Sequence, residues 1–321
     1  MRRLTLVLLV ACLAGTAFAA AFETMPPELK SKWRSSLSAT SGWNECGYDT
    51  AGWVPVVYDL ATAYPNWMTP AQQARHQFMW HPAGNNNGQL VYFRRQLWID
   101  GRVADALFRV CADDQFRFFV NGRLVGGARE SGATRVFAAT SDLRQGANVL
   151  AAEARDTMGQ AYGLMVMAEV TQEWPFVPEE HRWRCSTTAG DGWTTVGYND
   201  DKWGHAVPDR APAILVDSRR YSCFTTPQDL PDFGTAHFRR TLDLDGVPVS
   251  AQVTILGDDS YQLYVNGELM ALEGRADYAY RPRVVDVGSA LHPGRNILAV
   301  KITNTWGPAR LYCAPVVKMI L

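Results

Sequence analysis

Two pairs of adjacent carboxylates, Asp113-Asp114 and Asp258-Asp259, are the residues of this sequence whose type and spacing could do chemistry. A glycoside hydrolase needs two carboxyl groups, one on each side of the sugar bond that it cleaves. Adjacent residues at the start of a strand point to opposite faces, however, and aspartate in a turn commonly accepts hydrogen bonds from the backbone. Because both pairs precede an alternating strand, we expect them to cap the backbone and not to form a catalytic dyad.

Other signatures of catalysis are missing from the sequence. It contains no Gly-x-Ser-x-Gly turn, no His-Glu-x-x-His motif and no Cys-x-x-Cys cluster, which are typical of serine hydrolases, metalloproteases and zinc sites. The paired arginines Arg94-Arg95 and Arg239-Arg240 could bind an anion, but their repetition beside a framework strand favours one structural ion pair in each. We therefore predict a protein that is not an enzyme.

The carboxylate pairs belong to an internal repeat. Each pair leads into a strand of alternating residues that ends in Asn-Gly, at Asn121-Gly122 and at Asn266-Gly267, and this dipeptide is the strongest short-range signal for a tight hairpin. The segment from Trp33 to Trp53 likewise aligns without a gap on Trp183 to Trp203. A repeat of roughly 140 residues has the length of a whole domain, so the sequence indicates a tandem duplication.

The segments in order predict an exported protein with two domains. Residues 1–19 have the charged start, apolar run and Ala17-Phe18-Ala19 cleavage site of a signal peptide, with an uncleaved anchor as the alternative. Residues 20–32 form a lead-in, 33–170 the first domain, 171–182 a linker and 183–321 the second domain. Many short alternating strands with turn residues between them predict an all-β chain of two tandem antiparallel β-sandwiches.

Composition excludes some partners. The chain is 47% apolar and 20% charged, with a formal net charge of −1, so there is no electrostatic reason to expect nucleic acid or an anionic membrane as a partner. No apolar run reaches the length of about 20 residues that a membrane-spanning helix needs. The sequence therefore predicts a secreted protein that does not insert into a membrane.

Four repeated motifs resemble a known family. In the first copy they are Phe93-Arg94-Arg95, Asp113-Asp114, Val120-Asn121-Gly122 and Gly146 to Ala151. Their order resembles that of galactose-binding-domain-like jelly rolls, the accessory sugar-binding domains of β-galactosidase-type and α-rhamnosidase-type glycoside hydrolases. The resemblance implies a jelly-roll fold and a glycan or glycosylated surface as partner. It also implies that a structural calcium ion is possible, although no acidic loop with ligand spacing is visible, and no other cofactor is expected.

The resemblance also indicates where a ligand could bind. In related sandwiches the loop before the last strand often lines the ligand site, and sugar recognition needs an exposed aromatic ring with a few polar groups. The candidates are Trp306, Asn304 and Arg310 in the second domain, with Asp156 and Tyr162 in the first. The alternatives are that Trp306 packs on its own loop or on the partner domain, and that the chain is an extracellular structural or adhesion protein whose sandwiches bind other protein chains.

The cysteines are not matched between the two copies, so any bridge arose after the duplication. The first and last strands of this fold commonly lie side by side, which implies a disulfide between Cys185 and Cys313. The rival pairing joins Cys223 to either of them, and the remaining alternative is that all three are free. An exported protein could keep such a bridge because its surroundings are oxidising.

Overall fold

The computed structural model describes residues 32–58, 78–84, 88–130, 132–157, 162–174, 182–209, 223–225, 233–274, 282–305 and 310–321. The predicted signal peptide and Trp306 lie outside these ranges. The chain divides into two compact units. Unit 1 comprises Met1–Thr171, Asp245–Val249 and Met319–Leu321, and unit 2 comprises Gln172–Leu244 and Ser250–Lys318.

The first copy of the repeat contains eleven strands within the described residues. In chain order they are β1 (Trp33–Ser36), β2 (Val54–Pro55), β3 (Val57–Tyr58), β4 (Met79–Trp80), β5 (Leu90–Ile99), β6 (Arg102–Asp113), β7 (Gln115–Val120), β8 (Arg123–Ala128), β9 (Arg135–Ala138), β10 (Gly146–Arg155) and β11 (Gly163–Glu173), with a 3-10 turn at Thr140–Asp142. One sheet has the order β8-β7-β10-β5-β1-β2, and the other has the order β9-β6-β11-β4-β3.

The second copy also shows eleven strands in the part of the chain that is described. They are β12 (Arg184–Ser186), β13 (Gly204–His205), β14 (Val207–Asp209), β15 (Cys223–Thr225), β16 (Thr235–Leu244), β17 (Val247–Asp258), β18 (Ser260–Val265), β19 (Glu268–Glu273), β20 (Arg283–Asp286), β21 (Gly294–Thr303) and β22 (Arg310–Ile320), with a 3-10 turn at Gly288–Ala290. Its sheets have the orders β19-β18-β21-β16-β12-β13 and β20-β17-β22-β15-β14.

The two copies match strand for strand. Each strand in a sheet of the first copy has a counterpart at the same position in the equivalent sheet of the second copy. The lengths of the counterparts also agree: β5 and β16 both contain 10 residues, and β6 and β17 both contain 12. The residue pairing between these strands is also the same in both copies. Gly146 pairs with Ile99 in the first copy, and the equivalent residues Gly294 and Leu244 pair in the second. The predicted all-β fold of two tandem antiparallel sandwiches is confirmed.

Buried and exposed side chains alternate along the strands, and the buried ones form the core of each sandwich. In β7, Phe116, Phe118 and Val120 are buried while Arg117 is exposed, and the equivalent side chains of β18 are buried in the same order. The apolar faces of the two sheets of each copy pack against each other, as period-two strands with one buried face require.

The Asn-Gly turns have the predicted hairpin geometry. Asn121 and Gly122 have φ values of 49° and 86°, the left-handed region that both residues tolerate. The Asn121 side chain does more than permit the turn: its Oδ1 accepts from the N–H of Val149 at 2.8 Å, and its Nδ2 donates to Asn148 Oδ1 at 2.9 Å. Asn266 makes the same bonds in the second copy. The repeated asparagines therefore join neighbouring strands of one sheet.

The secondary structure of the described ranges consists of strands and two 3-10 turns. In those ranges, no helix has the length and apolar character needed to cross a membrane.

Candidate functional site

The repeated aspartate pairs hold the end loops, the segments that follow β10 and β21. Both Asp-Asp peptide bonds are cis. Oδ2 of Asp114 accepts from the backbone N–H of Thr157 at 2.8 Å and from its hydroxyl at 2.6 Å. Oδ2 of Asp259 accepts from the backbone N–H of Thr305 at 2.5 Å. The predicted capping of the backbone by aspartate is confirmed for Asp114 and Asp259.

The protonation of these carboxylates follows from their surroundings. Burial acts to raise the pKa of Asp114, but the hydrogen bonds from Thr157 outweigh it and hold that pKa below its ordinary value. Burial and the charge of Asp259 raise the pKa of Asp258, against the opposing positive charge of Arg310. Across the described residues, no group of three or more His, Cys, Asp or Glu side chains could hold a metal ion.

The predicted ligand residues of the end loops are mostly structural in position. The side chains of Asp156 and Asn304 are fully buried, and their backbones bond to Gly88 at 2.7 Å and to Gly234 at 2.9 Å. Tyr162 is half-buried, with its ring centroid 5.5 Å from that of Trp80 in the core. Arg310 is half-buried in β22. Of these four predicted residues, Asp156 and Asn304 are therefore buried, and Tyr162 and Arg310 are half-buried.

The predicted Cys185–Cys313 bridge is absent, because both residues are free thiols in the structure. Cys185 lies on β12, which pairs with β16, whereas Cys313 lies on β22, which pairs with β15 and β17 in the other sheet. The expectation that the first and last strands are neighbours was therefore wrong for this chain. Burial raises the pKa of the Cys185 thiol to about 11, which keeps it protonated.

One arginine of each repeated pair holds a loop in place. Arg239 is 2% exposed and its Nε lies 2.8 Å from Oδ2 of Asp200. It also donates to the carbonyl of Thr195 at 3.1 Å. Arg94 instead donates to the carbonyls of Trp43 and Glu45, both at 2.8 Å. The predicted structural ion pair is therefore confirmed for Arg239. Arg94 holds the equivalent loop of the first copy through hydrogen bonds to the carbonyls of Trp43 and Glu45.

The tryptophans that are matched between the two copies belong to the framework. Trp33 and Trp53 are buried, and Trp43 stacks on Trp53 with ring centroids 6.3 Å apart. Trp43 also lies edge-on to Phe119 at 5.6 Å. It therefore covers part of the outward face of the sheet that contains β7 and β10.

An open groove lies on the uncovered part of that outward face. Its volume is about 320 Å³, and all of its lining residues belong to unit 1. Trp98 of β5 is 51% exposed there and is the only exposed tryptophan in the described part of the chain. The other lining side chains that matter are Gln96, Ala147, Cys46, Lys32 and Asp245. We call this surface the Trp98 groove.

Hydrogen bonds fix the polar wall of the Trp98 groove. The main-chain N–H of Trp98 donates to Oδ2 of Asp245 at 2.9 Å, and Lys32 forms an ion pair with the other oxygen of that carboxylate. Cys46, another lining residue, donates from its thiol to Oδ1 of Asn121 at 3.3 Å. An exposed indole beside an oriented carboxylate, an ammonium group and an amide can bind a small polar ligand that has one apolar face.

The second copy shows what this position looks like without the groove. Trp98 aligns with Asp243 and Ala147 aligns with Arg295, and these two charged residues form an ion pair at 3.4 Å. Trp98 is not among the ligand residues predicted from the sequence. Two features of the sequence could have indicated an exposed ring at Trp98. The other copy has no tryptophan at the equivalent position, and Trp98 lies two residues from Gln96, on the polar face of an alternating strand.

Comparisons with known proteins give partial or low similarities. No family model matches the chain. A curated alpha-L-rhamnosidase of Streptomyces avermitilis is 36% identical over 118 residues, which cover 35% of this chain and 12% of the rhamnosidase. The matched segment is thus a small part of that enzyme.

Three solved structures are similar at low levels. A calcium-binding mutant of Bacteroides uniformis beta-glucuronidase 2 is 12% identical with a TM-score of 0.32, covering 87% of this chain and 27% of that one. The S. avermitilis alpha-L-rhamnosidase with L-rhamnose is 17% identical with a TM-score of 0.28, covering 93% and 30%. The Pleurotus ostreatus lectin is 21% identical with a TM-score of 0.25, covering 74% and 76%. At these TM-scores the similarities support no assignment of function.

The repeated motifs have structural roles. The Asp-Asp pairs hold the end loops, and the Asn-Gly pairs join neighbouring strands. One arginine of each pair donates to backbone carbonyls of the loop that contains Trp43 in the first copy and Trp193 in the second. With the strand-for-strand repeat of two antiparallel sandwiches, the chain has the two-sandwich architecture that its resemblance to galactose-binding-domain-like jelly rolls implies.

Proposed function

We propose that this protein is a secreted, non-catalytic carbohydrate-binding protein that holds a glycan against Trp98. The observation that carries the proposal is the 51% exposure of Trp98 on an open groove with Gln96 and Asp245 beside it. An indole ring covers the C–H face of a sugar, while polar side chains orient its hydroxyl groups. The rhamnosidase match supports the same class of ligand, because that relative is named for a sugar.

The Trp98 groove favours binding over hydrolysis. Among the described residues that line it, Asp245 is the one acidic residue, and both oxygens of that carboxylate are engaged, one by Lys32 and one by the N–H of Trp98. Hydrolysis of a glycosidic bond needs a second carboxyl group across the bond. The carboxylates that sequence analysis considered for that role hold the end loops instead.

Secretion is the remaining part of the proposal, and it rests on the sequence. Met1-Arg2-Arg3, the apolar run that follows and Ala17-Phe18-Ala19 form the pattern of a signal peptide. N-terminal sequencing of the protein recovered from culture medium tests this part. A mature chain that begins near residue 20 supports export, and an intact Met1 in a cell-associated protein contradicts it.

A glycan array tests the binding proposal. We expect the purified protein to bind a subset of the glycans, and we expect Trp98→Ala to lose that binding. Asp243→Ala is the matched control, because Asp243 occupies the position of Trp98 in the second copy. If Trp98→Ala binds the same glycans as the unaltered protein, the Trp98 groove is not the binding site. If no glycan on the array binds, the proposal of carbohydrate binding is contradicted.

A second candidate function is adhesion to other protein chains. The observation that favours it is a set of apolar side chains exposed at matched positions in both copies. Leu124 and Leu269 are each 50% exposed, and Val136 and Val284 are 59% and 61% exposed. Exposed apolar surface of this kind can mark a contact site for protein.

Sedimentation analysis separates the two candidates. If the function is adhesion between copies of this chain, the protein should associate as its concentration rises, and Leu124→Asp with Leu269→Asp should abolish the association. If carbohydrate binding is the function, the same double variant should keep the glycan hits. A monomer at all concentrations, with hits that depend on Trp98, contradicts self-association through these residues.

A further inference from the structure

We infer that the Trp98 groove selects neutral sugars with adjacent free hydroxyl groups and disfavours sugars that carry a carboxylate. This inference deepens the proposed function and rests on it. The observation that carries it is the charge balance of the lining. Among the described residues that line the groove, Lys32 and Asp245 carry charged side chains, and these two form an ion pair.

The ion pair determines which groups a ligand can present. A carboxylate on the ligand would approach Asp245, which already accepts from Lys32 and from the N–H of Trp98. Like charges at a few ångströms repel even near the surface of a protein. An anionic sugar would also have to compete with Asp245 for Lys32. A neutral hydroxyl group is not repelled by Asp245 and does not compete with it for Lys32.

The same pair suits two neighbouring hydroxyl groups. A carboxylate has about four acceptor positions and an ammonium group has three donors, so a hydroxyl can donate to Asp245 while the adjacent oxygen accepts from Lys32. Gln96 adds an amide that both donates and accepts on the same exposed strand. These groups leave the apolar face of the sugar to Trp98.

The polar groups are also held in position before the ligand arrives. The side chain of Asp245 is 19% exposed and that of Lys32 is 32% exposed, and the backbone hydrogen bond from β5 orients the carboxylate. Side chains that are already ordered lose less entropy when a ligand binds. A volume of about 320 Å³ lies at the lower end of the range of about 300–1,000 Å³ for ligand sites, which fits the terminal part of a glycan.

Matched pairs of ligands test the inference. Hexose-terminated glycans and their hexuronic-acid counterparts differ only at C6, where a hydroxymethyl group is replaced by a carboxylate. We expect the protein to bind the neutral member of a pair roughly tenfold more tightly than the acidic one, as one carboxylate repulsion at the surface implies. Added salt should leave the binding of the neutral member nearly unchanged.

The variant Asp245→Asn makes the test specific. Its amide oxygen can still accept from the N–H of Trp98, but the negative charge of residue 245 is removed from the groove, so the preference for the neutral member should disappear or reverse. Asp243→Asn in the second copy is the matched control and should keep the preference.

Two results would overturn the inference in different ways. Equal or tighter binding of the acidic member, lost in Trp98→Ala, overturns the ligand class and leaves the proposed function standing. If neither member of any pair binds in a way that depends on Trp98, both the inference and the proposed function at this groove fail.

Discussion

The main-chain N–H of Trp98 donates a 2.9 Å hydrogen bond to Oδ2 of Asp245. This bond joins the exposed aromatic ring to the polar wall of the same groove, because Asp245 also holds Lys32. The bond uses the backbone of Trp98, so the ring can be removed without breaking the wall. The predictions about the ring and about the carboxylate can therefore be tested separately.

Removing the ring should weaken glycan binding with little effect on folding. Stacking of one aromatic ring contributes about 0.5–1.5 kcal/mol beyond the buried area, so Trp98→Ala should lower affinity by roughly tenfold or more, and Trp98→Phe should lower it less. Trp306→Ala tests the end loop that sequence analysis proposed. Titration calorimetry with a glycan from the array measures both, and a loss in Trp306→Ala alone would return the site to that loop.

A bound glycan should protect Cys46 from alkylation. The thiol of Cys46 is half-buried and lines the groove, whereas Cys111, Cys185 and Cys313 are buried. Burial raises the pKa of Cys111 and of Cys185 to about 11 each, so these thiols should react only in the unfolded protein. Mass spectrometry after brief alkylation measures each site. Protection of Cys46 that persists in Trp98→Ala would contradict ligand binding at the groove.

Asp114→Ala should destabilise the protein without changing which glycans bind. The substitution leaves the backbone N–H and the hydroxyl of Thr157 without their acceptor, a loss of about 1–3 kcal/mol in the free energy of unfolding. Asp114→Asn keeps an acceptor oxygen and should cost less. Chemical denaturation measures the difference. A variant with unchanged stability but lost binding would make Asp114 a ligand residue.

Arg239→Ala and Arg184→Ala form a matched pair, because both arginines lie near Asp200. Arg239 is buried 2.8 Å from that carboxylate, whereas Arg184 lies 3.8 Å away with a side chain 32% exposed. Breaking a buried ion pair costs about 3–5 kcal/mol, and an exposed pair contributes about 0–1 kcal/mol. Denaturation of both variants under the same conditions should show this gap, and equal losses would contradict the structural role of Arg239.

Asp258→Asn should stabilise the protein at neutral pH. The pKa of Asp258 is higher in the folded state because of burial and Asp259, so the native state binds this proton more tightly than the unfolded state does. The stability linked to this proton is present below the unfolded pKa of about 3.9 and is lost as pH rises through the folded pKa. Calorimetry at several pH values should show a gain at pH 7 that vanishes in acid. A loss at pH 7 would mean that attraction to Arg310 outweighs burial.

The sequence by itself determined the architecture of each copy. Two matched sets of period-two strands, with Asn-Gly turns at Asn121 and Asn266, specify antiparallel hairpins through local backbone preferences. The repeat also marked Asp114 and Asp259 as framework, because a residue kept in both copies next to a turn serves the fold that both share. These inferences rest on short-range contacts, which a sequence displays directly.

Only the tertiary structure decided which outward-facing aromatic residue is left open. Phe119 and Trp98 both lie on outward positions of the same sheet, and periodicity treats them alike. Trp43 covers Phe119 from a loop far away in the chain, with ring centroids 5.6 Å apart, and leaves Trp98 51% exposed. Strand pairing likewise placed Cys185 and Cys313 in different sheets. Both outcomes depend on contacts between distant segments, which no local pattern contains.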